Sequence, residues 1–429
     1  MRLLTVIVLV ALSSIEIASA QDAQNAKEAL LLVGARVMDP GNERLLDGRD
    51  VLIVDGRIVE VSGSAAANAP QGARRLDLAG LTLIPGLIDL HTHLLLHPYD
   101  EASWNDQVLR ESLELRTIRA TAAARATLEA GFTTIRDLGT EGAGFADVAL
   151  RDATEQGIVA GPRIIAVTRA LVATGCYGPS GFDPRWDVPI GAQVADGVDG
   201  VRRAVRQQIA AGADWIKVYA DYRRRPADPA TPTFSQAELD AIVDEARSAG
   251  LQVAAHATTD AAIRRAVHAG VATIEHGTDA SDDVLALMRS NGVVLCPTLA
   301  ASEAMARYSG WTKGDPDHPR ITSAKAMFKR ALASRVTIAC GSDAGVFAHG
   351  DNVRELELMV EYGMSAGQAL RSATSLAAKV LGREKDLGKL EAGFLADLVA
   401  IKGDPLSDPS ALRDVVVVIK GGSIAIDRR

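Results

Sequence analysis

Between residues 81 and 339, eight short apolar runs alternate with segments of helical character, and this alternation constrains the fold more than any other feature. The runs are residues 81–89, 133–136, 163–167, 215–219, 251–255, 272–275, 293–297 and 336–339. Strand and helix in turn imply right-handed crossovers and a parallel sheet, and eight parallel strands close a barrel. The clearest intervening helix is predicted over 235–249, where Ser235 and Glu238 have capping-box spacing and Gly250 supplies the stop. An open doubly wound sheet would need a glycine-rich phosphate loop after an early strand, and none is present. The expectation is therefore an α/β chain built on a (β/α)8 TIM barrel.

The two ends read differently. Residues 30–77 hold short strand-like runs broken by turns, with Asp55-Gly56 as a hairpin signal, and the theme returns at 398–401, 415–419 and 423–426. A small β-sandwich assembled from both termini is expected, from residues 21–80 and 391–429, around a metal-dependent barrel at 81–390. Residues 1–20 read as a cleaved signal peptide: Arg2, an apolar core from Leu3 to Leu12, and Ala18-Ser19-Ala20 as an A-x-A site. The core is too short to span a bilayer, so a secreted or periplasmic protein without a membrane anchor is expected. Cys176, Cys296 and Cys340 form no CxxC pair, so neither a disulfide framework nor a cysteine metal site is predicted. A net charge of −8 disfavours nucleic acid and anionic membrane as partners. The basic run Arg223-Arg224-Arg225 reads as a solvated loop.

Ligand-type residues close several of the runs. His91-Thr92-His93 ends the first, and period-2 alternation puts both imidazoles on one face, roughly 6–7 Å apart at the backbone, where they can converge on a metal. His256 and His276 follow the fifth and sixth runs, Asp343 follows the eighth, and Lys217 lies inside the apolar fourth run. A single histidine ending a strand is usually structural. Five strands that each deliver such a residue to one rim are a site, because barrels of this kind do their chemistry there. A buried ammonium must find a partner or shift its pKa. Lys217 is either paired with a carboxylate or carboxylated by CO2 into an anionic ligand able to bridge two metals. No chemistry is assigned to His97, to His268 on a helix, or to His318 in a Pro-rich loop.

The motifs Pro85-Gly86-Leu87-Ile88-Asp89-Leu90-His91-Thr92-His93, Ile216-Lys217-Val218-Tyr219, Ala254-Ala255-His256-Ala257, Ile274-Glu275-His276-Gly277 and Gly341-Ser342-Asp343-Ala344-Gly345 give the chain its kinship. It resembles the metal-dependent amidohydrolase superfamily, in the branch of imidazolonepropionase-like enzymes and Xaa-Pro dipeptidases (prolidases), near ochratoxin-hydrolysing amidohydrolases. The resemblance implies His91, His93 and Asp343 on one divalent ion, His256 and His276 on a second, and a carbamate on Lys217 bridging them. Zinc is the expected ion, with manganese or cobalt as alternatives. Asp343 would move the proton from the attacking water to the leaving amine. Tyr219 would contact a substrate carboxylate or carbonyl. His349, in the loop 344–352, reads either as a substrate contact or as a plain surface histidine. Many relatives carry Gly-Gly-His-Gly after the third strand; here Thr174-Gly175-Cys176-Tyr177-Gly178 puts Tyr177 in the histidine's place, where its hydroxyl could still serve an oxyanion.

The implied activity is hydrolysis of an amide or peptide C–N bond by a binuclear dipeptidase-like hydrolase. Its substrates would be small molecules: dipeptides of the Xaa-Pro type or N-acyl amino acids, ochratoxin-type aromatic amides included. A cyclic amide or imidazolone hydrolase is the alternative, and a non-catalytic periplasmic metal-binding protein a further one. A homo-oligomer is expected, and residues 308–320 are a candidate lid.

Overall fold

The computed structural model of the chain describes residues 29–39, 41, 44–183, 185–225 and 228–429. The expected signal peptide at 1–20 lies outside the described residues.

Two β-sheets are built around the chain ends. One has four strands in the order Arg57–Ser62, Asp50–Val54, Ala29–Val33, Arg74–Asp77. The turn between the first two carries Asp55 at φ 50° and Gly56 at φ 77°, the paired positive angles that a tight hairpin requires. The other sheet has six strands, ordered Ser423–Asp427, Val415–Lys420, Leu398–Lys402, Leu81–Pro85, Arg36–Asp39, Arg44–Leu46, so C-terminal strands are laced onto N-terminal ones. The apolar run expected as one strand over 81–89 is in fact two. Its first half, Leu81–Pro85, pairs antiparallel with Leu398–Lys402, and only the second, Leu87–Thr92, joins the central strands. Gly86 makes the switch. A Cβ there would lie 2.1 Å from Thr133 Oγ1, so only glycine lets the chain pass from one sheet to the other at this point.

The central strands are parallel. Arg163–Ala166, Phe132–Asp137 and Leu87–Thr92 form one sheet; Ile216–Tyr219, Val253–Ala257, Thr273–His276 and Val294–Cys296 lie in another, flanked by Leu171–Val172 and Gln193–Val194. Backbone hydrogen bonds connect the two arcs. Asp214 N donates to Ala166 O (2.7 Å) on one side. On the other, Leu295 N donates to Thr337 O (2.9 Å) and Leu90 N to Cys340 O (3.0 Å). The eighth expected strand, 336–339, appears as a single bridge from Leu295 to Ile338 rather than a ladder. Helices occupy most of the intervals; Gln236–Ser248 is capped as its spacing predicts, by a Ser235–Glu238 capping box. All three cysteines are free.

Candidate active site

The carboxyl ends of the central strands converge on a cavity of about 520 Å3 whose lining includes His91, His93, His256, His276 and Asp343. The imidazole rings run in series: His93 to His91 at 5.3 Å, His91 to His276 at 5.2 Å, and His276 to His256 at 4.5 Å between centroids. Asp343 Oδ1 lies 3.5 Å from His91 Nε2 and 3.3 Å from His93 Nε2. Donor atoms of His91, His93 and Asp343 all lie within 4.8 Å of one another, a group able to hold a metal ion.

The histidines are oriented from behind. His91 Nδ1 bonds Glu275 Oε2 at 2.8 Å, His93 Nδ1 bonds the Gly139 carbonyl at 2.9 Å, and His276 Nδ1 bonds Thr298 Oγ1 at 2.7 Å. An imidazole that gives its Nδ1 proton to an oxygen keeps the Nε2 lone pair for a cation. Burial pushes His91 and His256 well down and His276 down to about 4, so all three are neutral at ordinary pH. His93 differs: burial disfavours its charge, but the Asp343 and Glu141 carboxylates, the latter 3.8 Å from its Nδ1, outweigh this and draw it up to about 9. Asp343 is itself held below the usual carboxylate range, because the neighbouring histidines offset the cost of burial.

Lys217 is 1% exposed and lies outside the cavity lining. Among the described residues its ammonium makes no hydrogen bond and no ion pair, and its Nζ sits 5.4 Å from the centre of the Tyr219 ring. Pairing with a carboxylate, one of the two readings open for it, is therefore not what the structure has. Burial lowers its pKa, with the charges of Glu275 and Asp343 only partly compensating.

Sequence reasoning passed over the groups that hold this floor together. Arg136 is wholly buried; it donates to Leu90 O (2.7 Å) and Glu275 Oε1 (2.9 Å) and lies 4.5 Å from the Trp215 ring. Arg136 and Glu275 each close one of the strand-like runs, the same position that singled out the histidines, and that signal would have found both. Asp89 accepts from His91 N (3.0 Å) and Ser342 N (3.0 Å), clamping the histidine strand to the Asp343 loop. Backbone strain gathers here as well: Glu141, His276, Thr298 and Asp343 are non-glycine residues at φ between 50° and 72°. Each such residue costs on the order of 1–3 kcal/mol and persists only where its surroundings overdetermine it.

Among the expected substrate contacts, Tyr219 and Tyr177 line the cavity. Tyr219 stacks on His256 at 4.6 Å, and Tyr177 stacks on Tyr219 at 4.3 Å. The Tyr177 hydroxyl donates to Glu141 Oε2, which also accepts from Trp104 Nε1 at 2.9 Å. Neither Glu141 nor Trp104 carried a sequence signal, since both lie on irregular loops or short elements far apart in the chain. His349 is not where it was expected. It lies outside the cavity lining, and its Nε2 faces the carbonyls of His93 and Leu96 at 3.2 Å each, strapping the loop behind His93. Gly345 lets that loop come so close: at φ 114°, its Cβ would lie 2.5 Å from His93 O. Arg223, exposed as its basic run predicts, also lines the cavity, and of residues 308–320 only Arg320 reaches it. His318 caps the helix Pro319–Ser334, accepting from Arg320 N at 3.2 Å.

The amidohydrolase family model matches residues 82–425. The chain belongs to the amidohydrolase family. This amidohydrolase is 30% identical to the ochratoxinase of Aspergillus niger over 436 residues, which cover 92% of this chain and 86% of the relative. The crystal structure of the A. niger ochratoxinase superposes with a TM-score of 0.80 at 26% identity, covering 94% of this chain and 97% of that one. A Xaa-Pro dipeptidase with methionine bound in its active site has a TM-score of 0.83 at 34% identity, covering 92% of this chain and 99% of that one. The family hydrolyses C–N bonds in small molecules, and this chain is an amidohydrolase-type hydrolase. No helix among the described residues is long and apolar enough to cross a membrane.

Proposed function

We propose that this amidohydrolase cleaves the amide or peptide C–N bond of a small carboxylate-bearing substrate: a dipeptide of the Xaa-Pro kind, or an N-acyl amino acid, aromatic amides included. The observation that carries the reading is Lys217, 1% exposed, two residues before Tyr219 of a cavity lined by four histidines and Asp343 and, among the described residues, without an ion partner. The donor set fits a pair of divalent ions, zinc by its imidazole and carboxylate character. His91, His93 and Asp343 would hold one ion and His256 and His276 the other, with a carboxylated Lys217 between them. When bound, such ions lower the pKa of water and polarise a carbonyl.

The chain's own residues do the rest. Burial keeps the Lys217 amine unprotonated more of the time, and a neutral amine adds to CO2 with loss of one proton to give the carbamate. Asp343, ionised and at the rim of the floor, takes the proton of the attacking water and returns it to the departing amine. Arg223 and Arg320 are the guanidinium groups lining the cavity, suited to the substrate carboxylate. The backbone bonds joining the two parallel arcs support closure as a (β/α)8 barrel, and the two terminal sheets support a β-sandwich beside it.

The test is elemental analysis of the purified protein together with hydrolysis of a panel of dipeptides and N-acyl amino acids. About two zinc equivalents, with activity lost in Lys217→Ala and restored by short carboxylic acids, is the expected result. A single equivalent or none, with activity indifferent to Lys217, would sink the bridged site.

A further inference from the structure

Aromatic residues make up only 4% of the chain, yet Tyr99, Trp104, Tyr177, Tyr219 and Tyr222 line this one cavity. The rings of Trp104, Tyr177, Tyr219 and Tyr222 form a continuous corner. Trp104 and Tyr177 meet at 4.9 Å and 60°, Tyr177 and Tyr219 stack at 27°, and Tyr222 stands nearly perpendicular to Tyr177 at 83° and to Tyr219 at 79°. Through the Tyr219–His256 stack the corner runs down to the histidine floor.

The polar ends of the outer two rings are not offered to a ligand. Glu141, 1% exposed, takes both the Trp104 indole N–H and the Tyr177 hydroxyl proton on a single oxygen. A phenol has one proton to give. Spent on Glu141, it is not available to an oxyanion, so the role left open for the Tyr177 hydroxyl is not the one the structure favours. What Trp104 and Tyr177 leave facing the cavity is apolar ring surface. The backing is rigid. Glu141 sits at φ 50°, and a Cβ on Gly191 would lie 2.6 Å from Trp104 Cζ2, so the indole is packed hard against backbone. Charge decides between an aryl group and an ammonium as the ligand of such a corner. Buried Arg116 donates to the Glu141 carbonyl at 2.7 Å and to Leu95 O at 2.8 Å; its cation beside Glu141 offsets the carboxylate and leaves the corner little pull on a positive charge.

We infer that Glu141 is a specificity-determining positioning residue: it fixes Trp104 and Tyr177 as an apolar wall that receives an aryl group of the amide substrate. The inference rests on the amide-hydrolase reading above and narrows it to aryl-bearing substrates.

The experiment compares kcat and KM of the metal-loaded enzyme on two matched pairs, N-benzoyl-leucine against N-acetyl-leucine and glycyl-phenylalanine against glycyl-alanine. Burying one phenyl ring against aromatic partners should favour the aryl member of at least one pair by about tenfold, mainly through KM. Tyr177→Leu should bring that ratio close to one, Glu141→Gln should lower it several-fold, and Tyr177→Phe should lower it less than Tyr177→Leu. A ratio near one in the unmodified enzyme overturns the inference. So does an equal loss of kcat, on the order of a hundredfold, on both members in Tyr177→Phe, which would put the hydroxyl in the chemistry. If no substrate of the panel is turned over, the amidase reading fails, and the wall is judged by calorimetric titration alone. Benzoate bound about tenfold more tightly than acetate, with the difference lost in Tyr177→Leu, supports it; equal affinities overturn it.

Discussion

The floor and the aromatic wall of the cavity adjoin, with Tyr219 and His256 in contact, but they are built on different principles. The histidines and Asp343 of the floor project from, or just beyond, the end of a central strand or bridge, and several are held from behind: Glu275 at His91, Thr298 at His276, and Asp89 at the backbone N–H groups of His91 and Ser342. The wall draws Trp104, Glu141 and Tyr177 from three separate loops and short elements, and a single carboxylate joins them. Register sets the floor, whereas the wall depends on side chains that meet only after the chain has folded. The floor should therefore fail by losing chemistry, and the wall by losing preference.

The largest effect expected is at the floor. On the proposed bridging role, Lys217→Ala should lower kcat/KM on the order of a thousandfold, with a parallel fall in bound metal read by elemental analysis. Glu275→Ala tests whether the floor is also a structural unit. It leaves Arg136 buried without its carboxylate and His91 without its anchor, so unfolding in denaturant should show a loss of about 3–5 kcal/mol. Glu275→Gln should keep more stability yet still weaken metal affinity by about 10- to 100-fold.

Behind the floor, Glu355 on the helix Val353–Glu361 accepts from Ala300 N at 2.7 Å, and burial raises its pKa to about 8. Its folded-state pKa is above the unfolded one, so the folded protein holds a proton that the unfolded chain releases. Stability from this group is full below the ordinary glutamate range near pH 4.5 and is lost as pH rises towards about 8. Glu355→Gln should flatten that slope, and melting curves should show the variant gaining on the parent by up to a few kcal/mol between about pH 5 and pH 8. An unchanged slope would mean that Glu355 is ionised in the folded protein.

The smallest effect belongs to the wall. Trp104→Phe keeps a ring but removes one donor from Glu141, which should cost about 1–2 kcal/mol of stability and raise KM more than it lowers kcat. A dominant loss of kcat would erase the contrast between the two regions.

Legibility in the sequence follows the same division. His91, His93, His256, His276 and Asp343 could be found because strand periodicity and a common rim are properties of local sequence, and each stands at the end of an apolar run. Lys217 carries an equally local mark, a charge inside such a run, whereas Arg136 and Glu275 stand at the ends of theirs. The break at Gly86 was hidden because 81–89 reads as one mainly apolar run; the contact with Thr133 that demands glycine comes from a strand more than forty residues away. His349 looked like a rim residue by its place after the Asp343 loop, but its ring turns back onto two carbonyls of the His93 loop.

By itself, then, the sequence determined the α/β alternation, the terminal β-runs and the ligand-type residues at the strand ends, because these depend on periodicity and on which residue follows which. The tertiary structure alone decided that Leu81–Pro85 joins the terminal sheet, that Lys217 has no ion partner among the described residues, and that Tyr177 gives its proton to Glu141. Those outcomes rest on which groups meet across long stretches of chain in a packed interior, where a single close approach or a single buried carboxylate settles the matter.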